Sequence, residues 1–133
     1  MNTVSEDSKR FNQMYREKGL NKGVVIDVLR TYVIWYNFVK ILDSFFKENV
    51  PRRQYSGVIH SDAFDPDDEG YFGENNVLFY YCIGEDDFED IVTYEELCSY
   101  LEVASEFYMT KYPEQTNEIR HYLSKIKEKY NVT

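Results

Sequence analysis

GVIHSDAF (57–64), DPDDEGYFGENN (65–76) and VLFYYCI (77–83) run consecutively through the middle of the chain. The outer two segments are β-branched and aromatic and are bounded by Gly, Pro and Asp, which is the composition of strands. The segment between them is too polar and turn-prone to be regular. A third short strand is expected at 90–92, with residues 84–89 as the turn before it, giving a small antiparallel meander.

On either side the hydrophobic period becomes helical. Downstream, Thr93 and Glu96 have the spacing of a capping box, and Leu97, Leu101, Ala104 and Tyr108 recur on one helical face, widened by Tyr100 and Phe107. Pro113 opens a further helix whose expected buried face is Ile119, Tyr122, Leu123, Ile126 and Tyr130. The short link 111–113 makes the two an antiparallel pair. Upstream, 24–48 reads as one long helix. Asp27, Arg30, Asn37, Lys40, Ser44 and Lys47 form its narrow polar stripe, and Pro51 ends it. Residues 6–18 predict a short helix with Ser5 as N-cap and Gly19 past its end, peripheral because its composition is polar. The expected fold is α+β: a β-meander packed against a long N-terminal helix and a C-terminal helix pair. It forms a single domain over 1–133, with 1–23 as a peripheral helix and loop.

The 133 residues and 16.0 kDa suffice for one core without disulfides. Thirteen Tyr and nine Phe separate the chain from disordered acidic tails, which lack aromatics. No apolar run is long enough to span a bilayer and the N-terminus has no signal-peptide pattern, so a cytoplasmic location is expected.

The charge is segregated. Residues 54–110 contain fifteen carboxylates and no Lys or Arg, so that segment stands at −15 while the rest sums to +6. A surface built for solubility alone intersperses both signs. A concentrated negative field attracts cationic partners and repels polyanions, which disfavours nucleic acid and anionic membranes. The acids fall into two clusters flanking VLFYYCI: Asp62, Asp65, Asp67, Asp68, Glu69 and Glu74, then Glu85, Asp86, Asp87, Glu89 and Asp90. Ordinary solvated turns would have similar composition. Tyr71, Phe72 and Phe88 lie within or beside these clusters, where aromatic anchors inside a charged rim would slow dissociation. These fourteen residues are the candidate partner-binding set, read as two acidic turns.

Catalytic and metal chemistry find less support. Asp65, Asp67, Glu69 and Gly70 match only the first half of a calcium loop, whose twelfth position would be Asn76. Cys82 and Cys98 lack a metal-ligand spacing and are expected to be buried free thiols. His60 has carboxylates nearby, but a strand histidine is more often a salt-bridged surface residue, here with Asp62. No phosphate-binding glycine loop is present. The expectation is a non-enzymatic protein with no metal and no cofactor.

The acidic DPDD turn at 65–68 before an aromatic strand, a second acidic turn, the helix start from Thr93 to Leu101 and the junction from Tyr108 to Pro113 carry a resemblance. Across roughly residues 24–130 the chain resembles immunity proteins of bacterial contact-dependent growth inhibition systems, and more narrowly those that protect against ribonuclease toxins. The resemblance implies a non-catalytic cytosolic inhibitor that binds a basic toxin nuclease domain one to one and blocks its active site or RNA-binding surface. It supplies no position-by-position binding motif. Two other readings remain open: an acidic regulatory or nucleic-acid-mimicking module for a basic DNA-binding protein, and an enzyme built on His60 and its neighbours.

Overall fold

The computed structural model describes residues 4–132, apart from the side chain of Asp62. Helices α1 (Val4–Glu17), α2 (Gly23–Trp35) and α3 (Phe38–Phe46) precede strands β1 (Ser56–His60), β2 (Asn76–Ile83) and β3 (Asp86–Thr93). Helices α4 (Tyr94–Lys111) and α5 (Thr116–Lys129) complete the α+β fold. The sheet order is β1-β2-β3 with both pairings antiparallel, the expected meander.

The long upstream helix is in fact two. Tyr36 is extended at φ −128°, and Asn37 accepts a hydrogen bond from the Val39 N–H at 3.1 Å, so the polar residue assigned to a stripe is the N-cap of α3. Ser44, placed on the same stripe, is buried and donates to the Ile41 carbonyl. Nor does Pro51 end the helix. Asn49 N–H bonds the Ser44 carbonyl and Glu48 N–H the Phe45 carbonyl, with Glu48 left-handed at φ +58°, which is a Schellman closure. At the end of α1, Gly19 occupies the equivalent left-handed position as expected.

The first helix is not peripheral. Ser5 lies inside α1, and Phe11 and Tyr15 are fully buried against α4. Phe11 meets Phe107 edge-on at 5.3 Å, Tyr15 stacks on Tyr100 at 5.5 Å, and the Tyr15 hydroxyl donates to the Tyr100 carbonyl at 2.6 Å. Polar composition concealed these anchors because two aromatics one turn apart are enough to dock a short helix.

The capping box forms as predicted: Thr93 Oγ1 accepts from Glu96 N–H and Glu96 Oε1 from Thr93 N–H, both at 3.1 Å. Past a single 3-10 turn at Pro113–Gln115, α5 runs back along α4 and also covers α3, and Lys127 reaches Glu102 in an ion pair. Of its expected buried face only Ile119 and Ile126 are fully buried; Tyr122, Leu123 and Tyr130 are half-buried.

Strand alternation sorts the sheet into two faces. Val58 and His60 of β1, Val77 and Phe79 of β2, and Val92 of β3 pair across the register and face the helices, where Phe79 stacks on Phe45 at 6.1 Å. Gly57, Ile59, Leu78, Tyr80, Cys82, Asp87, Glu89 and Ile91 occupy the other face.

Candidate protein interface

The second acidic cluster is a strand rather than a turn. Ile83 pairs with Asp86, which leaves only Gly84 and Glu85 as the turn, with Gly84 supplying φ +62°; β3 then runs from Asp86 instead of Asp90. Pairing of Tyr81 with Phe88 and of Cys82 with Asp87 extends the ladder over residues too acidic to suggest a strand. Charge on an edge strand is tolerated and discourages edge-to-edge association.

Alternation then divides this cluster. Asp87 and Glu89 project from the outer face beside Cys82 and Tyr80. Phe88 projects on the helix side, tilted against Tyr81 at 5.1 Å and 41% exposed. Asp90 is committed to the fold: its Oδ2 accepts from the Val24 N–H at 2.9 Å, at the N-terminus of α2 where the helix dipole favours a carboxylate. Lys22 fastens the same corner through the Ile91 carbonyl and Glu96.

The first cluster sits on a loop with its own hydrogen bonds. Asp65 N–H donates to Asp68 Oδ2 and Asp68 N–H to the Asp65 carbonyl, each at 2.9 Å, while Tyr71 N–H bonds the Asp68 carbonyl at 3.1 Å. Asp68 is therefore partly structural, whereas Asp65, Asp67, Glu69 and Glu74 are exposed. Gly73 at φ +98° lets Asn76 close over it and bond the Phe72 carbonyl at 2.9 Å. Tyr71 and Phe72 are half-buried. The Asp62 side chain, also in the predicted set, lies outside the described residues.

The loop folds Phe64 and Phe72 together at 5.8 Å and lays them against the outer face of the sheet. A groove of about 310 Å³ results, with Ile59, Leu78, Tyr80 and Cys82 as its floor. Phe64, Gly70 and Phe72 stand on one side and Asp87 and Glu89 on the other. Tyr80 lies flat because Gly57 beneath it has no side chain; a Cβ there would come within 2.7 Å of the Tyr80 hydroxyl. The loop that carries the first acidic cluster and the strand that carries the second, read from sequence as separate turns, thus border a single groove. Its apolar floor was missed. The available signal was the unbroken apolar run of β2, since a strand with one solvated face alternates with polar residues.

Electrostatics set this surface apart. Elsewhere several carboxylates have cationic partners: Asp7 with Lys111, Asp27 with Arg30, Asp43 with Lys47, Glu48 with Lys129 and Glu96 with Lys22. Among the described residues, no acid between 65 and 90 is ion-paired.

The chemistry-bearing residues are dispersed. His60 is buried, 4% exposed, rather than on the surface, and the Glu48 carboxylate lies 4.0 Å from its Nδ1; the expected pairing with Asp62 falls on a side chain outside the described residues. Burial pushes the imidazole below its ordinary pKa. Cys98 is buried and its thiol is pushed up to about 11 by desolvation. Cys82, expected to be buried, is half-exposed on the groove floor, and its thiol is raised by donating to the Asp87 carboxylate. Both thiols therefore stay protonated near neutral pH, the unreactive form. Among the described residues no three His, Cys, Asp or Glu side chains converge on a metal position, Asp65, Asp67 and Glu69 included. No described helix is long and apolar enough to cross a membrane.

A groove with an apolar floor and unpaired carboxylates along its β3 wall is a candidate protein-binding surface. The sequence places it further: the family described as CDI immunity protein matches residues 22–123, and the chain belongs to that family. Its role is therefore immunity, the neutralisation of a cognate toxin by binding it. No curated protein and no solved structure matches the chain significantly.

Proposed function

We propose that the chain neutralises a basic nuclease toxin, of ribonuclease type, by binding it one to one through the acidic outer surface of the sheet and blocking its active site or RNA-binding surface. The observation that carries the reading is the segregation of charge: residues 54–110 hold fifteen carboxylates and no Lys or Arg, and among the described residues none of the acids of 65–74 and 85–89 is ion-paired. A nuclease is basic where it holds phosphates, so carboxylates presented there compete for the same side chains and steer the encounter. Asp65, Asp67, Glu69, Glu74, Asp87 and Glu89 are the proposed contacts, with Glu85 and Asp86 at the hairpin tip. Asp90 is excluded from the set because its carboxylate caps α2. Neutralisation then needs no chemistry from the inhibitor. The test is to mix the purified chain with the toxin domain encoded by the adjacent upstream reading frame and measure both complex formation and RNA cleavage. A stable one-to-one complex with cleavage abolished at equimolar inhibitor is expected. A toxin that binds and has no nuclease activity would remove the nuclease part of the reading.

A further inference from the structure

We infer that the groove between the 61–75 loop and β3 is the anchor pocket of the toxin interface: it takes one apolar or aromatic side chain of the toxin with Lys or Arg beside it on the β3 side. This rests on the proposed function and specifies where and how the partner docks. The cavity is about 310 Å³, room for a large side chain, and its floor of Ile59, Leu78 and Tyr80 offers apolar contact. One wall carries Asp87 and Glu89 and the other is formed by Phe64, Gly70 and Phe72, so the side chain that enters is bordered on the β3 side by positions where a cation is favoured and an anion is repelled. Beyond the groove, Ile91 is 37% exposed on the same face, in register with Leu78, and extends the apolar area toward a rim. An apolar centre inside a charged border is the arrangement in which a buried anchor sets the dissociation rate and the rim sets the association rate. A second copy of this chain is a poorer occupant, since it would bring the same unpaired carboxylates to the groove.

The test changes the pocket without changing its charge. A Cβ at Gly70 would touch only Phe64, at 3.9 Å, and the backbone there is not left-handed, so Gly70→Leu adds bulk at the groove wall at little cost to folding. With the upstream-encoded toxin domain as probe, Gly70→Leu should leave the association rate within about twofold and raise the dissociation rate at least tenfold. Circular dichroism and the thermal midpoint should match the parent. If Gly70→Leu misfolds, Leu78→Lys on the half-exposed floor replaces it, and slower association together with faster dissociation is expected. Well-folded Gly70→Leu and Leu78→Lys proteins that bind as tightly as the parent would overturn the anchor pocket and leave toxin binding standing. Absence of binding by the parent itself would remove the proposed function and the pocket with it. Concentration-dependent dimerisation of the parent, abolished by Gly70→Leu, would identify a second copy as the occupant and overturn the inference.

Discussion

His60 is buried with neither ring nitrogen hydrogen-bonded among the described residues, wedged between the Phe45 ring and the Glu48 carboxylate. Desolvation holds its folded pKa below 6.5, only partly opposed by Glu48 and reinforced by Lys129. For Glu48 itself burial acts upward, but His60, the Tyr130 hydroxyl at 3.0 Å and Lys129 outweigh it and keep the carboxyl below 4.5. The signs agree. Below pH 6.5 the unfolded chain takes up a proton on histidine that the folded chain refuses, so stability falls from there down to the depressed folded pKa; the Glu48 contribution is lost below pH 4.5. Urea unfolding at stepped pH should show both losses in the parent, and His60→Phe should lack the first and show a smaller second, since His60 is the largest of the groups that lower the Glu48 pKa. The same variant should inhibit the toxin as well as the parent at equal folded concentration. Loss of inhibition in a folded His60→Phe protein would reopen a catalytic role. Sequence identified His60 as noteworthy but placed it on the surface, and Glu48 was not legible as its neighbour because the two are close only in space.

At the scale of elements, legibility followed the strength of local signals. The capping box at Thr93 and the periodic face of α4 were plain, and both are present. The break at Tyr36 was obscured because apolar residues continue at helical spacing across it, leaving Asn37 as the sole mark, and Asn serves equally on a solvated stripe or as a cap. In β3 the acids concealed a strand whose ladder is set by cross-strand partners, information that its own residues do not carry. Thermal or denaturant unfolding can rank these features. Asn37→Ala should cost about 1 kcal/mol through the lost cap. Leu101→Ala, at a fully buried site, should cost about 2–5 kcal/mol. Leu123→Ala should cost clearly less than Leu101→Ala, since Leu123 is half-buried and its gap opens toward solvent. Inhibition by any of the three should fall only in proportion to the folded fraction.

For the molecule as a whole, the charge asymmetry seen in the sequence survives folding and becomes directional. The fold spends its cations on the helical side, where Lys111, Lys127 and Lys129 join α5 and the end of α4 to their neighbours, and leaves the outer sheet surface with unpaired carboxylates. What the sequence could not reveal was that a 12-residue polar segment, 65–76, would fold back and set Gly70 and Phe72 across a groove from Asp87 and Glu89. An acidic module for a DNA-binding protein would share the charge, so toxin capture is what separates the readings. The most direct test is the association rate between this chain and the upstream-encoded toxin domain, measured by stopped-flow from about 20 to 500 mM salt. The Debye length shortens severalfold over that range, from about 20 Å to about 4 Å. If unpaired carboxylates steer a basic toxin, the rate should fall at least tenfold as salt rises, and a chain carrying Asp67→Lys, Glu69→Lys, Asp87→Lys and Glu89→Lys should associate slowly with little salt dependence. A rate that stays flat across the range, in a complex that still forms and still inhibits, would contradict charge-steered capture.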